Sequence, residues 1–516
     1  MNSERAWALI SVSDKRGIEV LAKAIGDAGY GLLSTGGTAA FLREKGFSVT
    51  DVSDYTGFPE MMDGRIKTLH PKIHGGLLGL RDQDSHREAM HEHGILPIDF
   101  VVVNLYPFEE TLRKQGLSPE EVIEQIDIGG PSMLRSAAKN FTSVTVVCDP
   151  MDYEKVEMEL KDQGHTSLEL RRDLAAKVFA RTASYDAAIA SWMEGEGFGP
   201  FNAMGGVRKQ KLRYGENPHQ QAAFYELASA APSSLARARF LGGKELSYNN
   251  ILDLDAAWRL CSEFSDGQPA CVVIKHGNPC GAALGSTGVD AYQKALAGDP
   301  LSAFGSIVAC NFEVDGEAGT AMAKPGNFIE VVIAPSFTEE ALSSLRSARF
   351  GKNLRILETG GLEVGTEAEF RSVSGGFLVQ SRDLPNEERE LKSVTDRQPS
   401  DEEMEALRFA WLVCKHVRSN AIVLANGTQA VGVGAGQMSR VDSVELSVKK
   451  AGDRAKGSVL ASDAFFPFPD GVLAAAEAGV TALIQPGGSR RDQEVIDAAN
   501  QKGLAMVFTG MRHFRH

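Results

Sequence analysis

The chain has no pair of cysteines in CxxC spacing; its six (Cys148, Cys261, Cys271, Cys280, Cys310 and Cys414) are scattered through 516 residues. That argues against a disulfide frame or a Cys-rich structural zinc site and fits reduced core thiols in a cytoplasm. No stretch approaches the ~20 apolar residues of a membrane-crossing helix. The first apolar run, residues 6–10, follows Glu4 and is too short for a secretory h-region. An excess of basic residues is also missing: Lys plus Arg number 54 against 68 Asp plus Glu, a net charge of −14. Such a chain is a poor general binder of nucleic acid or anionic membrane, so an anionic ligand must meet local clusters of positive charge. Low-complexity tracts and short repeats are absent. The expectation is a cytoplasmic, multidomain globular protein, with about three domains at ~150 residues each.

Residues 7–13 (WALISVS) predict a buried strand, and apolar residues Ile18, Leu21, Ala22 and Ile25 predict a helix over 14–28. A strand at 30–33, a Gly36-Gly37 turn and a helix over 38–45 follow. Residues 100–105 and 143–147 read as fully buried strands, and a long helix spans 167–192. Strands alternating with helices predict an α/β unit whose parallel sheet is covered on both faces. Residues 195–206 hold five glycines and one proline without apolar periodicity, which marks a boundary. Beyond it the α/β pattern continues. Strands are expected at 270–275, 306–310, 330–334, 420–425, 459–461, 481–485 and 504–508, and helices at 251–264 and 401–415. Ser400 and Glu403 have the spacing of a capping box. A polar stretch at 385–399 suggests a second boundary, and CVVIKHGNP (271–279) faintly echoes LVCKHVRSN (412–420).

Several segments carry the residue types that chemistry needs. Thr35, Gly36, Gly37 and Thr38 lie between a strand and a helix, where backbone N–H groups and a helix N-terminus form an anion cradle. The alternative is a plain turn with Thr38 as N-cap. Residues 64–81 contain no acid but carry Arg65, Lys67, Lys72, Arg81, His70 and His74, a local anion trap in a shaped loop. Asp127, before Gly129-Gly130, and Lys139 could frame a reacting group; equally, Lys139 could only complement a helix dipole. A second acid-free run, 197–215, ends in Arg213, Tyr214 and Gly215, and a guanidinium there suits phosphate. Lys275-His276 closes a strand, the usual ligand position in open α/β sheets. A histidine there can act as general base while its lysine neighbour stabilises developing negative charge. A structural histidine is the plainer alternative. Lys415-His416 lie in a last helical turn, where the macrodipole alone accounts for them. Residues 485–489 repeat the strand, Gly-Gly and hydroxyl arrangement with Ser489 as N-cap, and Phe465, Phe466 and Phe468 cluster around Pro467, as ring-stacking faces or as core.

The strings SVSDK (11–15), STGGT (34–38), GRIKTLHPKIHGG (64–76), NLYPF (104–108), QIDIGG (125–130) and AAKN (137–140), then LRYGENPHQ (212–220), IKHGNPCG (274–281), SAFGSI (302–307), RSNAIV (418–423), GAGQMSR (434–440) and SDAFFPF (462–468), resemble the AICAR transformylase/IMP cyclohydrolase family over nearly the whole chain. The resemblance implies a methylglyoxal-synthase-like domain at 1–198 and two cytidine-deaminase-like domains at 199–385 and 386–516, assembled as a homodimer. It implies formyl transfer from 10-formyltetrahydrofolate to AICAR, then closure of formyl-AICAR to IMP with loss of water. His276 would take the amine proton and Lys275 would stabilise the transition state. Arg213, Tyr214, Gly305, Glu330, Asn420, Arg440 and Arg512 would hold AICAR; Val441, Phe465, Asp470, Ser489 and Arg490 would hold folate. In the cyclohydrolase half Lys139 would handle the proton, helped by Asp127, Tyr106 and Lys67. Ser13, Asp14, Lys15, Thr35 to Thr38, Arg65, Ile66, Thr68, Val103, Asn104 and Ile128 would hold the nucleotide. Pro279-Cys280 is followed at position 283 by Ala, so the PCxxC of a zinc deaminase is broken and no catalytic metal is expected. A structural monovalent cation is left open. Rival readings are a nucleotide deaminase, a chain with one active half, and a catalytically silent nucleotide sensor.

Overall fold

A computed structural model describes residues 6–516 except 60, 63–65, 115, 196, 266, 364, 366 and 385–390. Arg65 and the start of the 385–399 stretch therefore lie outside the described residues. The chain forms two compact units, Met1–Val207 with Leu227–Ser229, and Arg208–Glu226 with Ala230–His516. Among the described residues no helix is long and apolar enough to cross a membrane.

The first unit is built on β1 (Trp7–Val12), β2 (Gly31–Ser34), β3 (Val49–Asp51), β4 (Ile98–Asn104) and β5 (Thr145–Val147), all parallel, in the order β3-β2-β1-β4-β5. Side chains alternate between two apolar clusters: Leu9, Val101 and Val146 on one face, Ala8, Ile10, Val102 and Val147 on the other. This is why β1 and β4 read as continuous apolar runs. The Ile18–Asp27 helix buries Ile18, Leu21, Ala22 and Ile25, the expected stripe, and the 27-residue Leu168–Glu194 helix starts at the Ser167 N-cap. Strand order reverses direction between β1 and β4, and the carboxyl ends of strands at such a point are the usual ligand position in open α/β sheets.

The remaining strands are β6 (Gly206–Leu212), β7 (Ala222–Leu227), β8 (Arg239–Gly242), β9 (Ala270–Lys275), β10 (Asn278–Leu284), β11 (Ser306–Cys310), β12 (Ile329–Ala334), β13 (Arg355–Glu358), β14 (Glu369–Val373), β15 (Gly376–Gln380), β16 (Lys392–Ser393), β17 (Ile422–Asn426), β18 (Gln429–Gly434), β19 (Val459–Ser462), β20 (Ala482–Gln485) and β21 (Ala505–Phe508). The second unit centres on a twelve-stranded sheet, β16-β21-β20-β19-β17-β18-β10-β9-β11-β12-β13-β8. Read outwards from the β10–β18 seam, both halves repeat one scheme of antiparallel, antiparallel, parallel, parallel and antiparallel pairs. One face carries a continuous core through both halves, under the helices Tyr248–Ser262 and Asp401–Lys415; the other carries two separate cores.

The sheet thus contains a repeat, but the Lys-His echo is not part of it. Lys275 ends a strand, whereas Lys415 ends a helix whose counterpart in the other half is Tyr248–Ser262. The macrodipole is not the whole account of Lys415-His416 either. Lys415 Nζ and His416 Nε2 lie 2.7 and 2.9 Å from Oε1 of the buried Glu263, the C-cap of that counterpart helix. Burial pushes the Glu263 carboxyl up, but the hydrogen bond and charge of His416 and the charge of Lys415 outweigh it and leave it below the ordinary range. The stability it contributes is full above the ordinary carboxylate value and is lost as pH falls through the lowered one.

Three local expectations are corrected. Thr38 is not an N-cap: the helix is Gly36–Glu44, Thr35 precedes it, and Thr38 Oγ1 instead bonds the backbone N–H and C=O of Val12. Ser489 is not an N-cap: the helix is Asp492–Gln501, and the Asp492 carboxylate accepts the N–H groups of Gly488 and Ser489. The basic segment is not all loop, because the Pro71–Leu78 helix lies within it, capped by His70 Nδ1 accepting the Lys72 N–H.

Candidate active sites

In the first unit the residues after β1 and β4 are tied together. Asn104 Oδ1 accepts from the Ser13 N–H (2.6 Å), the Ser13 hydroxyl (2.7 Å) and the Asp14 N–H (2.9 Å), while its Nδ2 donates to the Asp14 carbonyl. Val103 is buried in β4 and serves the core. Beside this knot the Gly36–Glu44 helix begins with two exposed glycines, and Thr35 makes no side-chain capping bond to it. A Cβ on Gly36 would lie 3.7 Å from Lys67 Nζ, and one on Gly37 3.7 Å from Lys15 Nζ. Two ammonium groups therefore flank a helix N-terminus, an arrangement that attracts an anion.

The turn that carries Lys67 reaches the next helix start: a Cβ on Gly129 would meet Thr68 Oγ1 at 2.7 Å. There Asp127 Oδ1 accepts the Gly130 N–H at 2.8 Å, and a Cβ at Gly130 would collide with Oδ2 at 2.4 Å, so only glycine lets the carboxylate fold back on the helix. Burial pushes the Asp127 carboxyl above its ordinary range, only partly offset by the N–H groups of Gly130 and Tyr106. A buried carboxyl whose charged form is disfavoured is the kind of group that exchanges a proton with a bound ligand. Tyr106 is half exposed and Ile128 is exposed beside it. Lys139 lies at the other end of this helix. It is the last residue of the Gly129–Lys139 helix, about 15 Å from its start at 1.5 Å per residue.

In the second unit, Lys275 ends β9, Gly305 precedes the antiparallel β11, and Glu330 is the second residue of β12. These residues share one end of the sheet. Lys275 Nζ donates to the Gly305 carbonyl at 2.7 Å. His276 is exposed, with φ +52°, a left-handed conformation unusual for a non-glycine residue. Glu330 accepts from Asn250 Nδ2 at 3.0 Å and lies 3.9 Å from the Arg355 guanidinium. Cys280 is no nucleophile here: burial pushes its thiol up to about 12.

The other half of the sheet presents its loops at the same end. Asn420 precedes β17, Phe465 follows β19, Ser489 follows β20 and Arg512 follows β21. Phe465 and Phe468 are exposed while Phe466 is buried, so one of the three clustered rings is core and two are open faces. Arg491 stands over the Phe468 ring at 4.9 Å, and Asp470 begins the Asp470–Glu477 helix. Val441, in the first turn of the Arg440–Ala451 helix, is half-buried and Arg490 is exposed. Arg213 is exposed and lies 5.8 Å from the Tyr214 ring centre, beyond β6.

Arg440 differs from the other expected ligands because it is buried. Its guanidinium donates to Asp463 Oδ1 (2.6 Å), Ser462 Oγ (2.7 Å) and Asn420 Oδ1 (2.9 Å). Asn420 Nδ2 in turn donates to the carbonyls of Gln437 and Met438. Asp463 is wholly buried, so Arg440→Leu leaves its carboxylate without a counter-charge. The expected loss is roughly 3–5 kcal/mol of unfolding free energy, read from a denaturant titration; an unchanged midpoint would show that the pair contributes nothing.

The family described as AICARFT/IMPCHase bienzyme matches residues 137–450, and the MGS-like domain matches residues 17–132. The chain belongs to the AICARFT/IMPCHase bienzyme family. Among relatives titled bifunctional purine biosynthesis protein PurH, that of Roseobacter denitrificans is 56% identical over 526 residues, covering 99% of this chain and 98% of its own. Those of Anoxybacillus flavithermus and Bacillus subtilis are 54% and 51% identical, each with 99% of both chains covered. The architecture of this bienzyme is accordingly an MGS-like N-terminal domain followed by the larger mixed α/β region.

Reading the bienzyme's sequence assigned no role to Asn250, Asp253, Arg355 or Asp463, which touch the expected site residues; Asn250 and Asp463 stand in the strings YNN (248–250) and SDAFFPF (462–468), whereas Asp253 and Arg355 stand in none. Asp253 accepts the backbone N–H groups of His276 and Gly277, at 3.2 and 2.6 Å. Only tertiary pairing reveals these contacts. Asn250 also stands at the third position after Ser247, where a capping box forms. Among the described residues no group of three metal-ligating side chains occurs.

Proposed function

We propose that the two units catalyse successive steps, formyl transfer to AICAR at the Lys275-His276 end of the sheet in the second and closure of formyl-AICAR to IMP in the first. By its family the chain is a bifunctional enzyme of purine biosynthesis, an AICAR transformylase and IMP cyclohydrolase. The observation that carries the residue assignment is the Lys275-His276 turn, with an exposed imidazole beside an ammonium fixed on the Gly305 carbonyl. The AICAR amine attacks the formyl carbon of 10-formyltetrahydrofolate; His276 accepts the amine proton, and as the C–N10 bond breaks N10 takes up a proton in its place, releasing tetrahydrofolate. Lys275 keeps two N–H donors beyond its bond to Gly305, and these suit the oxygen that gains charge in the transition state. Arg213, Tyr214, Glu330, Asn420 and Arg512 hold the nucleotide, with Arg440 holding Asn420 from behind. Val441, Phe465, Asp470, Ser489 and Arg490 form the folate side, with exposed rings for a flat heterocycle.

In the first unit the phosphate sits at Lys15, Lys67 and the Gly36–Glu44 helix start. The carboxamide nitrogen attacks the formyl carbonyl, and water leaves as the ring closes, with protons moved by Asp127 and its neighbours. The resemblance gives Lys139 this role as well. Lys139→Ala is expected to stop ring closure and spare formyl transfer; closure at the wild-type rate would leave the proton to the Asp127 and Lys67 cluster. The functional partition is 1–198, 199–385 and 386–516, in a cytoplasmic homodimer. Incubation with AICAR and 10-formyltetrahydrofolate, following tetrahydrofolate and IMP together, tests the whole reading. Both products should accumulate; accumulation of formyl-AICAR alone would mean an inactive first unit, and no reaction would favour a silent nucleotide binder.

A further inference from the structure

What aims His276 is not its ring, which makes no hydrogen bond among the described residues, but the backbone beneath it. His276 and Met62 are the two non-glycine residues with positive φ among the described residues. A left-handed residue with a Cβ is conformationally costly and persists where its surroundings over-determine it. At His276 the constraint is a carboxylate. Asp253, on the Tyr248–Ser262 helix, offers one oxygen to each of two consecutive N–H groups: Oδ2 to His276 at 3.2 Å and Oδ1 to Gly277 at 2.6 Å. Successive N–H groups converging on one anion are what a turn through the left-handed region produces.

The other side of the turn is tied as well. Asn278 Nδ2 donates to the His276 carbonyl at 3.3 Å, and its Oδ1 accepts the Arg418 N–H at 3.0 Å. His276 is therefore held by both its backbone polar groups while its imidazole stays exposed. We infer that Asp253 is the positioning residue of the formyl-transfer site: by fixing two N–H groups it sets the direction in which the His276 imidazole leaves the sheet end. This rests on the reading of His276 as the proton acceptor. A rotation of the peptide by a few tens of degrees would swing the ring nitrogens by more than an ångström, enough to remove a base from its proton.

The test uses the full chain with Asp253→Ala, Asp253→Asn and His276→Ala. Asp253→Ala is expected to lower kcat for formyl transfer roughly 10–100-fold, with KM for AICAR held within about twofold. Asp253→Asn keeps one acceptor oxygen and should fall between alanine and wild type, with ring closure unchanged in both. A wild-type kcat in Asp253→Ala overturns the inference. So do equal losses in both variants tracking a lowered melting temperature, which would make Asp253 a structural tie only. Should Asp253→Ala fail to fold, Asp253→Asn decides: reduced kcat at unchanged KM supports the inference and an unchanged kcat overturns it. His276→Ala separates the two claims. If it retains formyl transfer, the reading of His276 fails; if it is inactive while both Asp253 variants match wild type, only the role of Asp253 fails.

Discussion

His276→Ala is expected to abolish formyl transfer and leave closure of formyl-AICAR at its wild-type rate. The nucleophile is an amine whose lone pair is shared with its ring, so the proton must be taken as the C–N bond forms. A positioned base contributes typically ~10²–10⁴-fold to such a step. His276 is suited to it by location: it is exposed at a strand end, next to a lysine whose ammonium is fixed at 2.7 Å from the Gly305 carbonyl. The substitution should fall on kcat, because the groups assigned to hold AICAR are Arg213, Tyr214, Glu330, Asn420 and Arg512. His276→Ala also removes a side chain from a left-handed residue without touching either backbone tie, so melting temperature should not drop. Loss of both activities would indicate misfolding, and a fall in apparent affinity alone would make His276 a binding group. The assay follows tetrahydrofolate release with AICAR, and separately IMP formation from synthetic formyl-AICAR.

How far this fold could be read in advance depended on whether local rules and tertiary packing agreed. At Asp401–Lys415 they did: Ser400 and Glu403 form both bonds of the capping box, and Leu407 and Cys414 face the core. Strands such as Ala270–Lys275 and Ser306–Cys310 are buried on both faces and so show as unbroken apolar runs. The seam strands β10 and β18 escaped because Pro279 and Gly281 interrupt the one and Gly432 and Gly434 the other, ordinarily loop signals. Their glycines answer to helix packing instead. A Cβ at Gly281 would stand 1.9 Å from the Ala295 carbonyl oxygen, and one at Gly434 1.9 Å from that of Ser443. Glycine lets the Gly288–Gly298 and Arg440–Ala451 helices press directly on the sheet. The sites divide similarly. Residues gathered into motifs, such as Lys275-His276 and the 34–38 turn, were visible; the contacts of Asp253, Glu263 and even Asp463, which stands inside the SDAFFPF string, were not, because each is one unremarkable carboxylate until folding brings its partners from 23 to 153 residues away.

Lys15→Ala combined with Lys67→Ala is expected to raise KM for formyl-AICAR by about 10²–10⁴-fold, since each charge-assisted hydrogen bond to an ion is worth roughly 1.5–3 kcal/mol. The helix start between them supplies backbone N–H groups and a partial positive charge, which remain in the variant and retain some affinity. The two lysines should not act alike. Lys15 flanks Gly37 and is assigned only to the phosphate, so Lys15→Ala should raise KM and spare kcat. Lys67 flanks Gly36, and Thr68 beside it touches the start of the helix that Asp127 opens, so Lys67→Ala should raise KM and lower kcat together. Added salt screens exposed charges; the rise of KM with ionic strength should therefore be steep in wild type and shallow in the double variant. The chain's net charge of −14 sharpens the contrast, because without these two ammonium groups the global field repels a phosphate instead of admitting it. If Lys15→Ala lowered kcat with KM unchanged, the phosphate would have to sit elsewhere, and the reading of the Gly36–Glu44 helix start as its cradle would fall.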